Sequence, residues 1–438
     1  MSQIFLIIEL KIIIMNRFCE KLKRGVYVLG SEHTKFGTTK VPEKSIRDVA
    51  SESANEALNQ AGMPKEDIDF LVVSNAIGFA FEGQGHTNAL IANHLGLKDI
   101  PSIRVECACA SGANALRMGI MAIEAGWANN VLVVGAEIMS GMDRMMTQKV
   151  ISGGGDAMLE APVGATFPGL YATYASAIIH EFCPDFKYGM ESLAYIALKN
   201  HRNASYNPKA QHNYAIEELA KKKGIDNVWD FLNNPKNNPP IAWPLRLFDC
   251  SPTSDGGAAV VLSAKKAASS YNGIKNAIEI KSSACATGHL PMGLAPSLTG
   301  LRAAEVCALE TYKQLEIDPD NPTKQISVAE VHDCFTSAEV MAIADLHFVS
   351  RKDAIDAARN GVTSVDGKIP VNTSGGLKAK GHPIAATGLA QVVTIHKQLL
   401  GKMPPQVQVK DPHFGLCHNV GGTGGTACVH VFSLPEVK

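Results

Sequence analysis

Residues 105–117 read Val-Glu-Cys-Ala-Cys-Ala-Ser-Gly-Ala-Asn-Ala-Leu-Arg, and the rest of the chain can be interpreted around this stretch. Residues 103–105 have the character of the end of a strand, whereas residues 112–124 are almost uncharged and mix small and apolar side chains on every face. A helix that is apolar all round is buried. The pattern therefore predicts a strand that turns into a central helix, with Cys109 at the N-terminus of that helix.

The position of Cys109 predicts a reactive thiol. Unpaired backbone N–H groups and the positive end of the helix dipole both stabilise a thiolate, which is the nucleophilic form of cysteine. The small residues Ala110, Ser111 and Gly112 leave room for a large acyl group. The alternative is an inert packed cysteine. Cys107 takes that structural role, because only one of the pair can lie at the start of the helix.

The composition indicates a well-packed soluble enzyme of two or three domains. The chain has 438 residues, of which 46% are hydrophobic and 19% charged, and a formal net charge of −1. These values exclude a disordered chain and give no indication of nucleic-acid binding. The ten cysteines lack CxxC spacing, which argues against a disulfide or zinc framework and favours a reducing intracellular compartment.

The N-terminal residues 4–15 are apolar but are interrupted by Glu9 and Lys11. This segment is shorter than the roughly 20 apolar residues that a membrane span needs, so no membrane association is predicted. The basic residues after Met15 are compatible with a mitochondrial presequence, and a misplaced start codon explains the segment equally well. Mitochondrial, peroxisomal and cytoplasmic locations therefore stay open.

Strand-like and helix-like patterns alternate along the chain, which predicts an α/β layered fold. Strands are predicted at residues 25–30, 67–74, 130–136, 255–262, 326–331 and 427–432, and helices at residues 45–61, 87–95, 169–182, 191–201, 301–315, 333–346 and 387–400. The second half repeats the order of the first. We therefore expect two repeated βα halves back to back, with a functional site at their junction.

The change of character between residues 140 and 247 predicts an inserted loop domain. This segment begins with Gly153-Gly154-Gly155 in a Met-rich stretch and ends in a polar stretch with repeated Asn and Pro. The predicted domains are an N-terminal extension at 1–24, a first half at 25–140 plus 250–270, an inserted loop domain at 141–249, and a second half at 271–438.

Three further stretches carry residues with chemical potential, namely 330–335 (Glu-Val-His-Asp-Cys-Phe), 372–383 (Asn-Thr-Ser-Gly-Gly-Leu-Lys-Ala-Lys-Gly-His-Pro) and 417–425 (Cys-His-Asn-Val-Gly-Gly-Thr-Gly-Gly). A reactive cysteine needs a base, which His382 can supply, and Cys334 is a candidate for a second acid/base group. Backbone N–H groups at Gly421 and at the helix start can stabilise oxyanions.

Each of these residues also has an ordinary structural interpretation. His332 alone is typical of a hydrogen-bonded core histidine, His382 of a turn, and the glycine run of a tight loop. A metal site built from Cys109, Cys334, His332 and His382 is conceivable. These residues lack paired ligand spacing, so no metal is predicted.

At these four stretches the sequence resembles the thiolase superfamily, in order from Gly25 to the end. Cys109-Ala110-Ser111-Gly112 resembles the nucleophile loop, and Gly381-His382-Pro383 is similar to the GHP motif. Residues 255–259 and 292–296 resemble further family segments. The resemblance implies a thiolase-like five-layered αβαβα fold, with the inserted loop domain covering the substrate.

Two loops depart from the common bacterial pattern. His332-Asp333-Cys334-Phe335 replaces Asn-Glu-Ala-Phe, and Asn419-Val420-Gly421 replaces Cys-x-Gly. The combination resembles the sterol-carrier-protein-2-type thiolases and their archaeal acetoacetyl-CoA relatives, in which the HDCF cysteine takes over acid/base work. The resemblance implies that the catalytic set is Cys109, His382, Cys334, His332, Asn419 and Gly421.

The resemblance also implies a coenzyme A thioester as substrate, without a metal or redox cofactor. Ser251 falls where the family contacts the pantetheine arm, and His418 is assigned to the same coenzyme-binding set. Lys199 and Arg202 are cationic candidates for the CoA phosphates, although a solvated basic face explains either one. The implied partners are a second copy, in a homodimer or tetramer, and a small OB-fold protein.

The predicted reaction is CoA-dependent cleavage of 3-ketoacyl-CoA, or the reverse Claisen condensation of acetyl-CoA, through an acyl-cysteine intermediate. One alternative is a related condensing enzyme, against which the GHP and HDCF motifs argue. The other is a non-catalytic or complex-dependent thiolase-like subunit that binds acyl-CoA or lipid. The complete set of catalytic residues argues against a purely binding role.

Overall fold

The computed structural model describes residues 21–38 and 44–436. The predicted N-terminal extension lies outside the described residues up to position 20, as does the apolar run within it. In the part of the chain that is described, no helix is both long and apolar enough to cross a membrane.

The strands form the central sheet of the fold. The described residues form eleven strands: β1 (Val26–His33), β2 (Phe70–Ser74), β3 (Ser102–Val105), β4 (Asn130–Glu137), β5 (Pro240–Ala242), β6 (Leu245–Arg246), β7 (Gly256–Ala264), β8 (Ile278–Thr287), β9 (Ile326–Glu330), β10 (Phe414–Gly421) and β11 (Thr426–Ser433). Nine of them make one mixed sheet in the order β3-β2-β4-β7-β1-β8-β11-β10-β9, and β5 pairs with β6.

Helices cover the sheet. The described residues form fourteen α-helices: α1 (Ile46–Ala61), α2 (Gly78–Glu82), α3 (Thr87–Leu95), α4 (Ser111–Glu124), α5 (Arg144–Ser152), α6 (Phe167–Phe182), α7 (Phe186–Ser205), α8 (Ile216–Lys222), α9 (Val228–Asn233), α10 (Lys265–Ala268), α11 (Arg302–Leu315), α12 (Thr336–Asp345), α13 (Gly376–Lys380) and α14 (Thr387–Leu399). Short 3-10 turns lie at Lys65–Asp67, Ala161–Val163, Leu247–Asp249, Asn272–Asn276, Met292–Leu294, Pro322–Lys324 and Ala354–Asp356.

The predicted repeat of two βα halves is confirmed by the strand order. In the first half β2 is parallel to β4, and β4, β7 and β1 follow as antiparallel neighbours. In the second half β9 is parallel to β10, and β10, β11 and β8 follow in the same way. The halves join where β1 pairs with β8. The sheet therefore consists of two copies of a four-stranded unit, with β3 added at the edge of the first copy.

Two helices that follow the predicted catalytic loops form the central layer. α4 and α14 pack on each other between the half-sheets, while α1 covers the outer face of the first half and α11 that of the second. A Cβ on Gly112 would lie 2.8 Å from Ala385 O, and one on Gly388 would lie 2.5 Å from Ala113 N. Because both positions lack a side chain, the helix starts approach at backbone distance. This confirms the five-layered αβαβα architecture.

Several features differ from the predictions. The unexpected elements include two long strands, Ile278–Thr287 and Phe414–Gly421, the helix Arg144–Ser152 and several shorter helices and strands, and the helix expected at residues 191–201 extends over Phe186–Ser205. The helix expected at residues 333–346 begins only at Thr336, because the Asp333 carboxylate accepts the N–H of Leu377 at 2.6 Å and holds an extended loop. The predicted full burial of α4 is wrong for the single chain, in which Met121 is 51% exposed.

Candidate active site

Cys109 lies in the tight loop between β3 and α4. Ala108 has a left-handed φ of 48°. The Ser111 hydroxyl accepts the N–H of Cys107 at 2.9 Å and donates to Ala108 O at 2.6 Å. The N–H groups of Gly422 and of Cys109 itself are directed at the Cys109 sulfur. The loop thus presents the thiol beside the start of α4, as the sequence predicts.

The expectation that Cys109 has a low pKa is wrong for the resting site. Burial raises the pKa of the Cys109 thiol to about 12, with a smaller upward contribution from Glu137. The N–H groups that face the sulfur oppose this rise but do not overcome it. Desolvation therefore outweighs the helix N-terminus, and Cys109 rests as a thiol that needs a base.

The fold brings two thiols and two imidazoles to one place. Cys109 Sγ and one ring nitrogen from each of His332 and His382 all lie within 4.8 Å of one another. The two imidazoles pack edge to face with centroids 5.2 Å apart. Cys334 lines the same cavity as Cys109 and His382. The three predicted loops and the nucleophile loop thus meet at the junction of the two halves.

Hydrogen bonds make His382 a base toward the cavity. The Thr387 hydroxyl, at the start of α14, donates to Pro383 O at 3.0 Å and so accepts from His382 Nδ1–H at 2.7 Å. The buried Nε2 has no hydrogen-bond partner within the described chain and is left with a lone pair. Burial lowers the pKa of His382 to about 3, so the resting ring is neutral. Its Nε2 lone pair can take a proton, although the same burial opposes the charged form.

His332 has the opposite tautomer. The Asn419 amide donates to His332 Nδ1 at 3.0 Å, which places the ring proton on Nε2. That Nε2 is buried and has no partner among the described residues. Burial lowers the pKa of His332 well below its ordinary value, and the neighbouring His382 and His418 add to the effect. His332 is therefore a neutral hydrogen-bond donor rather than a base.

Cys334 is a buried thiol beside an aromatic wall. Burial raises its pKa well above the ordinary value, and the charge of a Cys109 thiolate would raise it further. The Tyr171 hydroxyl lies within hydrogen-bonding reach of Cys334 and acts in the opposite direction. Cys334 is therefore protonated at rest and suited to deliver a proton.

A cavity of about 500 Å³ opens onto these groups. On one side of Cys109 its wall is apolar: Met139, Ile151 and Ile384 belong to a cluster that packs against the Cys109 side chain. Ile151 comes from α5, one of the helices that sequence patterns did not predict. This wall provides space for an alkyl chain attached to the sulfur.

On its other side the cavity extends into the inserted segment. Ser251 lines it, together with Leu247 and Phe248, and the Ser251 N–H donates to Cys334 O at 2.8 Å. The position of Ser251 thus agrees with a contact along a long thioester substrate. Further lining side chains from the insertion are His201, His212, Tyr214 and Lys223.

Lys199 and Arg202, predicted to meet CoA phosphates, do not reach this cavity. Lys199 is buried, its ammonium 2.9 Å from Glu339 and donating to Val371 O at 2.8 Å. Arg202 is paired with Glu217 on the surface. Both face a separate small pocket on the far side of α7. The assignment is corrected, because successive positions of a helix point in different directions.

The structure also changes the assignments of two further predicted site residues, His418 and Gly421. His418 is buried behind His332, whose N–H approaches His418 Nδ1 at 3.5 Å, and it is not among the described residues that line the cavity. Its assignment to coenzyme binding is therefore corrected. Gly421 packs against the nucleophile loop, where an added Cβ would lie 2.4 Å from Cys107 O. Gly422, rather than Gly421, lines the cavity and directs its N–H at the sulfur.

A buried polar network holds the HDCF loop. The Asn200 amide donates to Asp333 at 2.7 Å and to Glu339 at 2.8 Å. Burial raises the pKa of the Asp333 carboxyl to about 7, with a further contribution from Glu339. α7 of the inserted segment is thereby tied to the loop that carries His332 and Cys334.

The converging donors Cys109, His332 and His382 also have the separation of a metal site. The tautomer of His332 does not favour metal binding, because its Nε2 carries the proton, whereas Nε2 of His382 keeps a lone pair. The expectation that the site works without metal or redox cofactor stays a prediction.

Sequence reasoning missed three residues of the site: Thr387, Gly422 and Tyr171. Thr387 follows the His-Pro pair at the start of a helix, a position where a hydroxyl commonly bonds to neighbouring backbone, and this signal could have drawn attention to it. Gly422 lies next to the predicted glycine. Tyr171 lies in the insertion, and nothing in the local pattern connects it to Cys334.

Comparison with known families covers most of the chain. The family described as thiolase, N-terminal domain, matches residues 26–266, and the family described as thiolase C-terminal domain-like matches residues 284–434. An acetyl-CoA acetyltransferase from Methanothermobacter thermautotrophicus is 40% identical over 410 residues, covering 94% of this chain and 100% of the relative. Sterol carrier protein 2 from Gallus gallus is 28% identical, covering 95% of this chain and 74% of the relative.

Solved structures agree with the fold. The Ltp2-ChsH2(DUF35) aldolase has a TM-score of 0.74 and 21% identity, covering 93% of this chain and 98% of the other. Human mitochondrial 3-ketoacyl-CoA thiolase in complex with CoA has a TM-score of 0.68 and 16% identity, covering 96% of this chain and 100% of the other. At these identities the similarity concerns the fold alone.

Proposed function

The chain belongs to the thiolase family and is a thiolase-type acyltransferase, and from that premise we propose that Cys109 carries the acyl group while His382, Cys334 and His332 handle protons and oxyanions. The observation that carries this assignment is the gathering of Cys109 with two imidazoles of opposite tautomer. One ring offers a lone pair and the other an N–H, which are the two capacities that acyl transfer requires.

In the degradative half-reaction His382 Nε2 takes the proton of Cys109, and the resulting thiolate attacks C3 of a 3-ketoacyl-CoA. The C2–C3 bond breaks, and its electron pair forms the enolate of acetyl-CoA. Cys334 gives its proton to C2, so that acetyl-CoA leaves. The site then holds an acyl-cysteine, a protonated His382 and a Cys334 thiolate.

In the second half-reaction the thiol of free CoA gives its proton to the Cys334 thiolate. The CoA sulfur attacks the acyl carbon, and the bond to Cys109 breaks. His382 returns its proton to Cys109, which restores both thiols. The same steps in reverse describe the condensation of two acetyl-CoA molecules.

Two sets of donors stabilise the oxyanions. His332 Nε2–H, together with His382 once it is protonated, faces the place of the thioester oxygen. The N–H groups of Cys109 and Gly422 face the sulfur and thus the oxygen of an acyl group on it. Each such donor is typically worth about 3–4 kcal/mol in the transition state. A role for the Gly421 N–H stays a prediction.

The test is covalent labelling combined with turnover. Acetyl-CoA is expected to add about 42 Da, one acetyl group, to the Cys109 peptide, and the enzyme is expected to cleave acetoacetyl-CoA in the presence of CoA. Cys109→Ala should lose both activities, while Cys107→Ala, two residues away on the same loop, should keep both. Acetylation that persists in Cys109→Ala would contradict the assignment of the nucleophile.

The fold exposes a surface that suits the predicted association with a second copy of the chain. β3 is the outer strand of the first half-sheet, and its Ile103 is 39% exposed. Met121 on the adjoining face of α4 is 51% exposed. An unpaired strand edge beside apolar side chains suits pairing with an identical edge across a two-fold axis. We infer that a homodimer forms through β3.

Sedimentation of the purified protein tests this surface. Ile103→Lys should convert the dimer into a monomer, because it places a charge at the centre of the interface. Trp243→Lys, which changes an equally apolar exposed side chain in the insertion, should leave the dimer intact. Dimers that survive the Ile103 change would place the interface elsewhere.

A small OB-fold partner stays a prediction as well. The aldolase among the similar structures, Ltp2-ChsH2(DUF35), is named for two components. Thiolysis by the purified chain alone, unchanged by added partner, would argue against dependence on a complex.

A further inference from the structure

Tyr171 reaches the active site from α6, in the inserted segment. Its side chain is 1% exposed, and its ring stacks on Phe335 with centroids 4.6 Å apart and planes at 23°. It lines the cavity with Cys109 and Cys334. The ring is therefore fixed by the aromatic residue that follows Cys334, and only its hydroxyl hydrogen is free to turn.

Two acceptors compete for this hydrogen. In the resting site the Tyr171 hydroxyl donates to Gly422 O at 3.1 Å. Cys334 Sγ lies within hydrogen-bonding reach of the same hydroxyl. A thiolate is a much stronger acceptor than a thiol, because hydrogen bonds to ionised groups are stronger than those between neutral groups.

In the resting site, where His382 is neutral, few neighbours of Cys334 favour a thiolate. Of the neighbouring groups that shift the pKa of Cys334, Cys109 and Asp333 oppose a negative charge, whereas the Tyr171 hydroxyl favours it. Beyond Tyr171, the contact that favours the charged form is the N–H of Phe335. The Tyr171 hydroxyl is thus the side-chain donor placed to stabilise a charge on this sulfur.

We propose that Tyr171 is a positioning residue for the acid/base step, whose hydroxyl turns from Gly422 O to Cys334 Sγ when Cys334 gives up its proton. This inference rests on the proposed function, because it acts through the role of Cys334 there. In cleavage the proton passes from Cys334 to C2 of the leaving enolate, and the Tyr171 hydrogen bond supports the thiolate left behind. Tyr171 keeps its own proton throughout.

The test separates steps that need Cys334 from steps that do not. In the exchange of labelled CoA into acetyl-CoA no carbon is protonated: His382 passes the Cys109 proton to the departing CoA thiolate and takes it back from the incoming CoA thiol, while Cys334 stays a thiol. Thiolysis of acetoacetyl-CoA also requires the proton of Cys334 at C2. Tyr171→Phe keeps the stacked ring. It should lower kcat for thiolysis about ten- to hundredfold, as expected for losing a hydrogen bond to a charged group. KM for acetoacetyl-CoA and the exchange rate should change less than about threefold.

Tyr174 provides the matched control. It lies one turn further along α6, its hydroxyl donates to Thr423 O at 2.9 Å, and it does not belong to the described cavity lining. Tyr174→Phe removes the same kind of bond from the same loop and should leave the ratio of thiolysis to exchange unchanged. An equal change of this ratio in both variants would reduce Tyr171 to a structural role and overturn the proposal.

A double-mutant cycle gives the second criterion. If Tyr171 acts through Cys334, adding Tyr171→Phe to Cys334→Ala should lower the residual thiolysis no further. Effects that multiply would overturn the proposal. A wild-type protein with neither exchange nor thiolysis would instead contradict the proposed function, so the two failures are distinguishable.

Discussion

One hydrogen bond at each ring gives His332 and His382 different roles in the active site. Thr387 accepts from Nδ1 of His382, which leaves Nε2 with a lone pair, whereas Asn419 donates to Nδ1 of His332, which leaves Nε2 with a proton. Burial keeps both rings neutral. Their tautomers therefore depend on two uncharged side chains that do not themselves react.

The hydrogen bond from His382 to Thr387 can be tested with an isosteric change. Thr387→Val removes the acceptor and leaves the tautomer of His382 unfixed, so kcat for thiolysis should fall about tenfold, the effect of one lost neutral hydrogen bond. Thr394→Val on the same helix, whose hydroxyl only donates to Ala390 O, should have little effect. Steady-state kinetics of the two variants make the comparison, and equal rates would contradict the role of Thr387.

The starts of two helices place the reacting groups. Cys109 precedes α4 and His382 precedes α14, and the crossing of these helices at Gly112 and Gly388 brings the loops together. The insertion then completes the cavity: α5 adds Ile151 to the apolar wall beside Cys109, and α6 brings Tyr171 to Cys334. The repeated units thus supply the chemistry, and the insertion shapes the cavity.

The apolar wall of Met139, Ile151 and Ile384 predicts that acyl groups longer than acetyl are accepted. Ile151→Trp should fill this space and lower kcat/KM for 3-ketoacyl-CoAs with four or more extra methylenes by about a hundredfold, since each buried methylene contributes about 0.8 kcal/mol. Activity with acetoacetyl-CoA should persist. Met145→Trp, at an 84% exposed position of α5, is the control. Chain-length profiles that do not differ between the variants would place the acyl chain elsewhere.

Buried histidines that stay neutral occur throughout the protein and not only at the active site. Burial lowers the pKa of seven histidines in the described part of the chain, to about 3 or 4 or well below the ordinary value: His33, His201, His332, His382, His396, His418 and His430. Burial also raises the pKa of three carboxyls to about 7: Glu137, Asp333 and Asp345.

These shifts act in opposite directions on stability. A histidine with a lowered folded pKa binds its proton first in the unfolded chain, so its contribution to stability is lost as the pH falls below about 6.5. A carboxyl with a raised folded pKa contributes stability at low pH and loses it as the pH rises toward 7. The histidines with a lowered pKa outnumber the carboxyls with a raised pKa, so the unfolded chain binds more protons than the folded protein between pH 6 and 5.

The free energy of unfolding should therefore fall as the pH decreases through this window, by about 1.4 kcal/mol per pH unit for each net proton that the unfolded chain takes up. Calorimetry or chemical denaturation at pH 7.5, 6.5 and 5.5 measures the slope, which should appear as a fall in Tm on acidification. His430→Gln should reduce the slope by about one proton, because it removes one of the seven groups. A Tm that rises between pH 7.5 and 5.5 would contradict the prediction.

The sequence was most informative where a short stretch carries its own chemistry. The strand-to-helix turn at Cys109, the His-Pro pair at His382 and the HDCF loop were found in this way, and small-residue helices indicated the central layer. Less could be inferred where one residue depends on distant ones. Lys199 and Arg202 have the right charge but the wrong direction, and Tyr171 has no local signal at all.

By itself the sequence determined which groups can react and the order of the layers, because periodicity, small residues and motif spacing are local. Only the tertiary structure decided the state of those groups. The raised pKa of Cys109, the opposite tautomers of His332 and His382, and the N–H of Gly422 at the sulfur all follow from desolvation and hydrogen bonds between distant segments. Such effects depend on how the two halves close around the site, which no local pattern contains.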